Sequence, residues 1–246
     1  MISDLKSVPP GLCASGSVVT IGAYDGLHVG HREIIDQVTQ KARDDKQASV
    51  LVTFSPHPAN ILRPAEAPKL LTDRDQKLRL LEGTGIDAVV VIAFDRIQAE
   101  ETPEDFAKRV LVDTLNVKRL IVGEDFCFGK DRRGNVELLT RLGEQYGFVV
   151  EPSHLVSGHD DVTASSTYIR SLVLNGDVAA ANIYLGRQHE LTGTVVHGDA
   201  RGRTIGFPTA NVEVPKTMCQ PGDGVYAGWY VRPAREGQPE RVYPTA

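Results

Sequence analysis

The sequence predicts an α/β fold with a parallel sheet covered on both faces, followed by a smaller all-β unit. Three observations carry that expectation. Through residues 1–186, β-branched or wholly apolar runs alternate with amphipathic helical stretches, as buried parallel strands and their crossover helices require. From Arg187 onward, strand-like runs follow one another without a helix between them. The unusual glycine-, proline- and histidine-rich segments of the first part each come directly after a strand.

The elements follow in order. Residues 18–21 (Val-Val-Thr-Ile) read as a buried strand that Gly22 breaks, with Asp25-Gly26 supplying turn chemistry. From His31 on, Ile34, Ile35, Val38 and Ala42 fall on one helical face. Residues 49–54 are a second strand, followed by Ser55-Pro56-His57-Pro58, and residues 72–81 are helical with Leu78, Leu80 and Leu81 available for burial. Residues 87–94 are so apolar that they are expected at the centre of the sheet. Thr102-Pro103-Glu104-Asp105 starts a helix: a Thr cap, Pro at the first helical position and acids in the first turn. Residues 119–122 and 148–150 are further strands, separated by a helix over 136–146. Ser165 or Ser166 caps a helix burying Ile169, Leu172 and Val173, and a last short helix runs from Asp177 to a stop at Leu185-Gly186. Residues 191–196, 224–231 and the start at Val242-Tyr243 then read as strands, so the domain boundary is placed at 186/187.

Composition excludes several function classes. Hydrophobic content of 41% and charged content of 24% are those of an ordinary globular protein. A formal net charge of −5 argues against nucleic-acid backbone or an anionic membrane as the main partner. Cys13, Cys127 and Cys219 are far apart and odd in number, which fits a reducing cytoplasm better than a disulfide framework. No signal peptide is read at the N-terminus, and the apolar runs are far short of a membrane span.

Chemistry concentrates in the turn after the first strand. His28 and His31 are three residues apart at a helix start, so both imidazoles reach one spot. Gly30 between them presents no side chain to an approaching ligand. A helix N-terminus with its unpaired N–H groups and positive dipole end suits a phosphate there. Arg170, about a turn above Ser166-Thr167, adds a guanidinium to hydroxyls and N–H groups that would converge on one anion, although a simply capped helix reads the same way.

Taken together these motifs carry a resemblance. Residues 22–31 (GAYDGLHVGH), 53–58 (TFSPHP), 122–129 (VGEDFCFG), 165–170 (SSTYIR), 185–187 (LGR) and 202–211 (GRTIGFPTAN) are similar, in that order, to the bacterial bifunctional riboflavin kinase/FAD synthetases. Two departures stand out, Tyr24 where Phe is usual and Tyr168 where a basic residue is often found. The resemblance implies a Rossmann-like nucleotidylyltransferase domain over 1–186, an FMN adenylyltransferase, and the first part of a riboflavin kinase β-barrel over 187–246.

It also implies a reaction and roles: AMP passes from ATP to FMN, giving FAD and pyrophosphate. Gly22, Tyr24, Asp25, Gly26 and Gly30 would form the ATP-binding loop. His28 and His31 would donate to the α-phosphate, while Ser166, Thr167 and Arg170 hold the β- and γ-phosphates and Mg²⁺ bridges them. Phe54, Pro56, Pro58, Asp125, Phe126 and Phe128 would form the flavin side. In the kinase unit, Thr209 and Asn211 match the ATP and Mg²⁺ positions. The family's general-base glutamate lies beyond Ala246, so these 246 residues are expected to make FAD without phosphorylating riboflavin. An incomplete barrel is further expected to pack loosely, with fast hydrogen exchange over 187–246, or to self-associate through its edges, leaving the first domain independent of it. Two alternatives stay open: a nucleotidylyltransferase for another acceptor, such as a lipid head-group or pantetheine phosphate, and a flavin- or nucleotide-binding protein without catalysis.

Overall fold

The computed structural model describes residues 2–9, 11–153, 163–198, 206, 209–234 and 237–245. Its first part is built on a parallel sheet with strands β1 (Ile2–Ser3), β2 (Ser17–Ile21), β3 (Ala48–Ser55), β4 (Ala88–Ala93), β5 (Val117–Gly123) and β6 (Val149–Ser153), in the order β1-β4-β3-β2-β5-β6. Residues 87–94 were expected to be central. β4 instead lies one place from the edge, and its apolar character is served because β1 pairs with its outer side at Ile2–Val89 and Ser3–Val90. The central pair is β2 and β3.

Both faces of the sheet are covered, and the alternation of side chains along each strand shows how. On β2, Val19 and Ile21 join one core with Phe106, Val110, Leu111, Leu115, Leu139 and Phe148, whereas Val18 faces Ile34, Val38 and Ala42 on the other side. The first of these layers comes from α5 (Pro103–Phe106), a π-helix over Ala107–Thr114, and α6 (Val136–Tyr146). The second comes from α1 (Val29–Asp45) and α3 (Arg74–Glu82). Thr102 caps α5 by accepting from the Asp105 N–H, with Pro103 in the first turn, so its start follows from the sequence. The conversion to i→i+5 pairing after one turn does not. Two short helices, α2 (Pro58–Leu62) and α4 (Arg96–Glu100), follow β3 and β4.

Two helices complete this part, α7 (Ser166–Leu174), capped by Ser165, and α8 (Val178–Leu185), capped by Asp177 and closed by Gly186 at φ +64°. They enclose a separate small core of Leu71, Ala164, Ile169, Val173, Ala181, Tyr184 and Leu185.

The C-terminal part forms two antiparallel pairs, β7 (Thr194–Val196) with β8 (Asn211–Glu213) and β9 (Gly228–Arg232) with β10 (Arg241–Thr245). Val195, Val212, Trp229, Val231 and Val242 are exposed on them. Of the 202–211 motif, only Gly206 and residues 209–211 fall within the described residues. One stretch departs from the expected independence. Leu70 donates its N–H to the Thr217 carbonyl and its own carbonyl accepts from the Cys219 N–H, both at 2.8 Å, and Cys219 is fully buried in the small core of α7 and α8. The first domain is therefore closed in part by residues from the second.

Candidate active site

The sheet order reverses at β2: the chain goes from β2 through β3 to β4 on one side, then crosses to β5 on the other. In such sheets the crevice at the carboxyl ends of the strands that flank the reversal is where ligands bind. A cleft of about 280 Å³ opens there, between Gly22 just after β2 and Gly123 at the end of β5 with Asp125 and Phe126 beyond it, and with the N-termini of α1 and α7 as its other walls.

The loop from β2 to α1 is wound tightly. Tyr24 (φ +49°), Gly26 (+81°) and Leu27 (+38°) all occupy the left-handed region, which non-glycine residues enter at a cost. At Gly26 a Cβ would also meet Leu71 Cδ1 at 2.8 Å. Asp25, 4% exposed, holds this conformation. Its carboxylate accepts from the backbone N–H groups of Leu71 and Thr72 at 3.0 Å, and Gly26 N–H donates to the Thr72 hydroxyl at 3.0 Å.

The histidines lie on one spot, as expected. His28 caps α1, its Nδ1 accepting from the His31 N–H at 3.4 Å, and the two rings stack with centroids 3.6 Å apart. In the neutral ring the proton then sits on Nε2, which makes that atom a donor. Burial pushes the His28 imidazolium down to about 4, and burial next to His28 and Lys77 takes His31 well below its ordinary value. Both rings are uncharged at neutral pH. Tyr24 packs on His31 at 4.9 Å and shares a 2.6 Å hydrogen bond with Thr20, while burial raises its phenol far above the usual range. His31 Nδ1 is buried with no hydrogen-bond partner among the described residues, a polar atom ready for a ligand.

The remaining expected residues divide. Gly22, Tyr24, Gly30, Asp125, Phe126, Ser166 and Thr167 line the cleft with the two histidines. Ser166 also donates to the Asp25 carbonyl oxygen at 2.8 Å, joining α7 to the β2–α1 loop. Arg170, expected on the β- and γ-phosphates, is placed otherwise: it pairs with Asp25 Oδ2 at 2.8 Å and donates from Nε to the Lys69 carbonyl oxygen at 2.7 Å. The buried Asp25 carboxylate takes the guanidinium inward. Asp25 and Gly26 likewise shape the loop from beneath and do not line the cleft. Phe128, expected at the flavin face, is buried in the main core between Phe106 and Phe126, with ring centroids 5.7 and 5.5 Å away. Phe54, Pro56 and Pro58 stand at and beyond the end of β3, outside the cleft's lining. Thr209 and Asn211 are exposed, Asn211 as the first residue of β8, remote in sequence from the cleft's lining.

Reading the sequence missed Lys77 altogether. Its ammonium lies 3.1 Å from each of three oxygens, the Ala23 carbonyl, the Thr53 hydroxyl and the Phe54 carbonyl, and burial pushes it down to about 8. The signal was present: a lysine next to Leu78 and one turn before Leu81, on a helix face that must be buried.

No group of three or more His, Cys, Asp or Glu side chains suited to a resident metal occurs among the described residues. No helix among them is long and apolar enough to cross a membrane.

A parallel α/β sheet with a tight glycine loop, two neutral histidines and a second helix N-terminus around one cleft defines a Rossmann-like nucleotidyltransferase. A family model described as FAD synthetase matches residues 12–168, and one described as riboflavin kinase matches residues 185–244. The chain is 39% identical over 226 residues to the bifunctional riboflavin kinase/FMN adenylyltransferase of Escherichia coli K12, covering 92% of this chain and 70% of that protein. It is 35% identical over 212 residues to the protein of the same name from Bacillus subtilis, covering 86% and 66%. A crystal structure from Streptococcus pneumoniae superposes with a TM-score of 0.79 at 28% identity, over all of this chain and 84% of that one; the name it carries, macrolide-efflux protein, belongs to that protein. The chain belongs to the bifunctional riboflavin kinase/FMN adenylyltransferase family.

Proposed function

We propose that the first domain transfers AMP from ATP to FMN, releasing pyrophosphate. A phosphate oxygen of FMN attacks the α-phosphorus, the bond from that phosphorus to the bridging oxygen breaks, and pyrophosphate leaves with the electron pair. The observation that carries this is the stacked His28–His31 pair at the N-terminus of α1, which lines one cleft together with Ser166 and Thr167. Neutral imidazole N–H groups and free helix N–H groups are preorganised donors for charge that builds on α-phosphate oxygens. Positioning and such donors supply most of the rate in phosphoryl and nucleotidyl transfer.

Ser166 and Thr167 are assigned to the β- and γ-phosphates. Arg170 supports them indirectly, by holding Asp25 and with it the loop that carries His28. Mg²⁺ would enter with the nucleotide as MgATP, since phosphate oxygens supply its hard ligands, and Asp125 is a carboxylate in the cleft's lining. Phe126 offers an aromatic face to the isoalloxazine, with Phe54, Pro56 and Pro58 extending that side. Riboflavin and ATP are a second substrate pair by family, since a family model described as riboflavin kinase matches residues 185–244, with Thr209 and Asn211 exposed to solvent in that part.

The test is incubation of the purified chain with ATP, Mg²⁺ and FMN, following FAD and pyrophosphate. Folded protein that yields neither overturns the reading, and faster turnover of a phosphopantetheine or lipid head-group acceptor replaces it. FMN made from riboflavin and ATP supports that second pair, and its absence with folded protein removes it.

A further inference from the structure

We infer that Lys77 is a positioning residue for this transfer, an ammonium tether that joins the ATP-side loop to the flavin-side loop and sets their separation. The inference rests on the AMP-transfer reading. Its basis is geometric. Lys77 sits on the inward face of α3, 8% exposed, between Gln76 and Leu78, which are also buried. An ammonium has three N–H bonds, and here each has one oxygen at 3.1 Å. The cation is thus satisfied without water, which is the condition for keeping a buried charge.

One oxygen belongs to the β2–α1 loop and two to the end of β3, which leads into the flavin-side loop. Ala23 lies between Gly22 and Tyr24, both in the cleft's lining, and its carbonyl also accepts from the Thr53 hydroxyl at 3.2 Å. Phe54 is the last-but-one residue of β3 and leads into the Ser55-Pro56-His57-Pro58 segment. The segment leading into that helix grips the first loop at a second point, because Thr72, just before α3, bonds Asp25 and Gly26. Helix α3 and the residues leading into it therefore hold the first loop twice, at Ala23 through Lys77 and at residues 25–26 through Thr72, while Lys77 also holds the end of β3. Lys77 does not line the cleft, so its effect passes through the backbone it holds. Asp25 and Arg74 are the charges that act on it, and its own charge reaches His31 and His57.

Lys77→Met keeps length and packing while removing the donors. Misplacement of reacting groups by about 1 Å costs on the order of 10²-fold in rate. The expected result is kcat for FAD formation down about 10²-fold, with the Kd values of ATP and FMN, measured separately by calorimetry, each within threefold of the parent. Amide hydrogen exchange should quicken at residues 22–26 and at Ser55 and His57, and stay unchanged in β4 and α6. Thr53→Val removes one acceptor of the ammonium together with the hydroxyl's own bond to the Ala23 carbonyl, leaving the other two acceptors; it should lower kcat about 10-fold and serves if the Met variant does not fold. A folded variant with kcat within threefold of the parent, or with unchanged exchange in both loops, overturns the inference. If the parent itself makes no FAD, the AMP-transfer reading fails instead, and the exchange measurement alone decides whether the tether exists.

Discussion

His31 is held between the Tyr24 ring and the stacked His28, with Nδ1 buried and unpartnered among the described residues. A donor used in the transition state and idle in the free protein has a definite signature: His31→Ala should lower turnover ~10²–10³-fold while ATP affinity changes by a few-fold at most. Near-normal turnover in that variant would remove His31 from the reaction. His28 makes a second, pH-dependent statement. It binds a proton with a pKa of about 4 in the fold against 6.5 unfolded, so between those values the unfolded chain holds the extra proton. Stability is complete above about pH 6.5 and drains as pH falls towards 4, by on the order of 2 kcal/mol at pH 5 for this residue. His28→Asn keeps a good N-cap and removes the titration. Urea midpoints at pH 7.5 and pH 5 should lie closer together in that variant than in the parent. Arg170 gives the third residue-scale expectation. Lys cannot make the two separate contacts with Asp25 and the Lys69 carbonyl, so Arg170→Lys should lower the melting temperature as well as kcat. Loss of kcat alone, with an unchanged melting temperature, would return Arg170 to the phosphates.

At the scale of elements, the β2–α1 loop matters most, because two strands and two helices converge on it. Its left-handed residues are stabilised by Asp25, Thr72 and the packing of Leu71 over Gly26. Gly26→Ala places a methyl at φ +81° and against Leu71, so it should destabilise by about 1–3 kcal/mol and slow FAD formation, since the histidines hang from the same loop. A thermal melt and a rate on one preparation check both. Much of this element was legible. Strand, glycine turn and histidine pair are local patterns, and so are the helix starts at Thr102, Ser165 and Asp177. The π-helix over Ala107–Thr114 was not legible, because the burial of Val110, Leu111 and Leu115 suits an ordinary helix equally well.

For the whole molecule, the two parts are joined where Thr217 to Cys219 run alongside Leu70 and Leu71. Lys69 Nζ also donates to the Lys216 carbonyl, and His189 Nε2 lies 2.9 Å from the Cys219 carbonyl. This contact reaches the site in two steps, since Leu71 N–H is one of the donors on Asp25. The expectation of fast exchange over all of 187–246 is therefore divided: the amides of Leu70 and Cys219 should be protected, and those of β7–β10, whose apolar side chains are exposed, should exchange quickly. Uniformly fast exchange would mean that the contact does not hold in solution.

What the sequence alone determined were the features that depend on a few neighbouring residues. These include the order of strands and helices, the caps, the turn at Gly22–Gly26 and the two histidines that share a helix start. Only the tertiary structure decided what depends on partners far along the chain. Asp25 met Arg170 across 145 positions and drew it inward; Phe128 joined the core; β1 closed over β4; and Lys77 found three oxygens, one in the β2–α1 loop and two at the end of β3. The reason is physical. A hydrogen-bonded cap or a turn is satisfied within a few residues, whereas a buried charge or ring takes its role from whatever the folded chain brings against it.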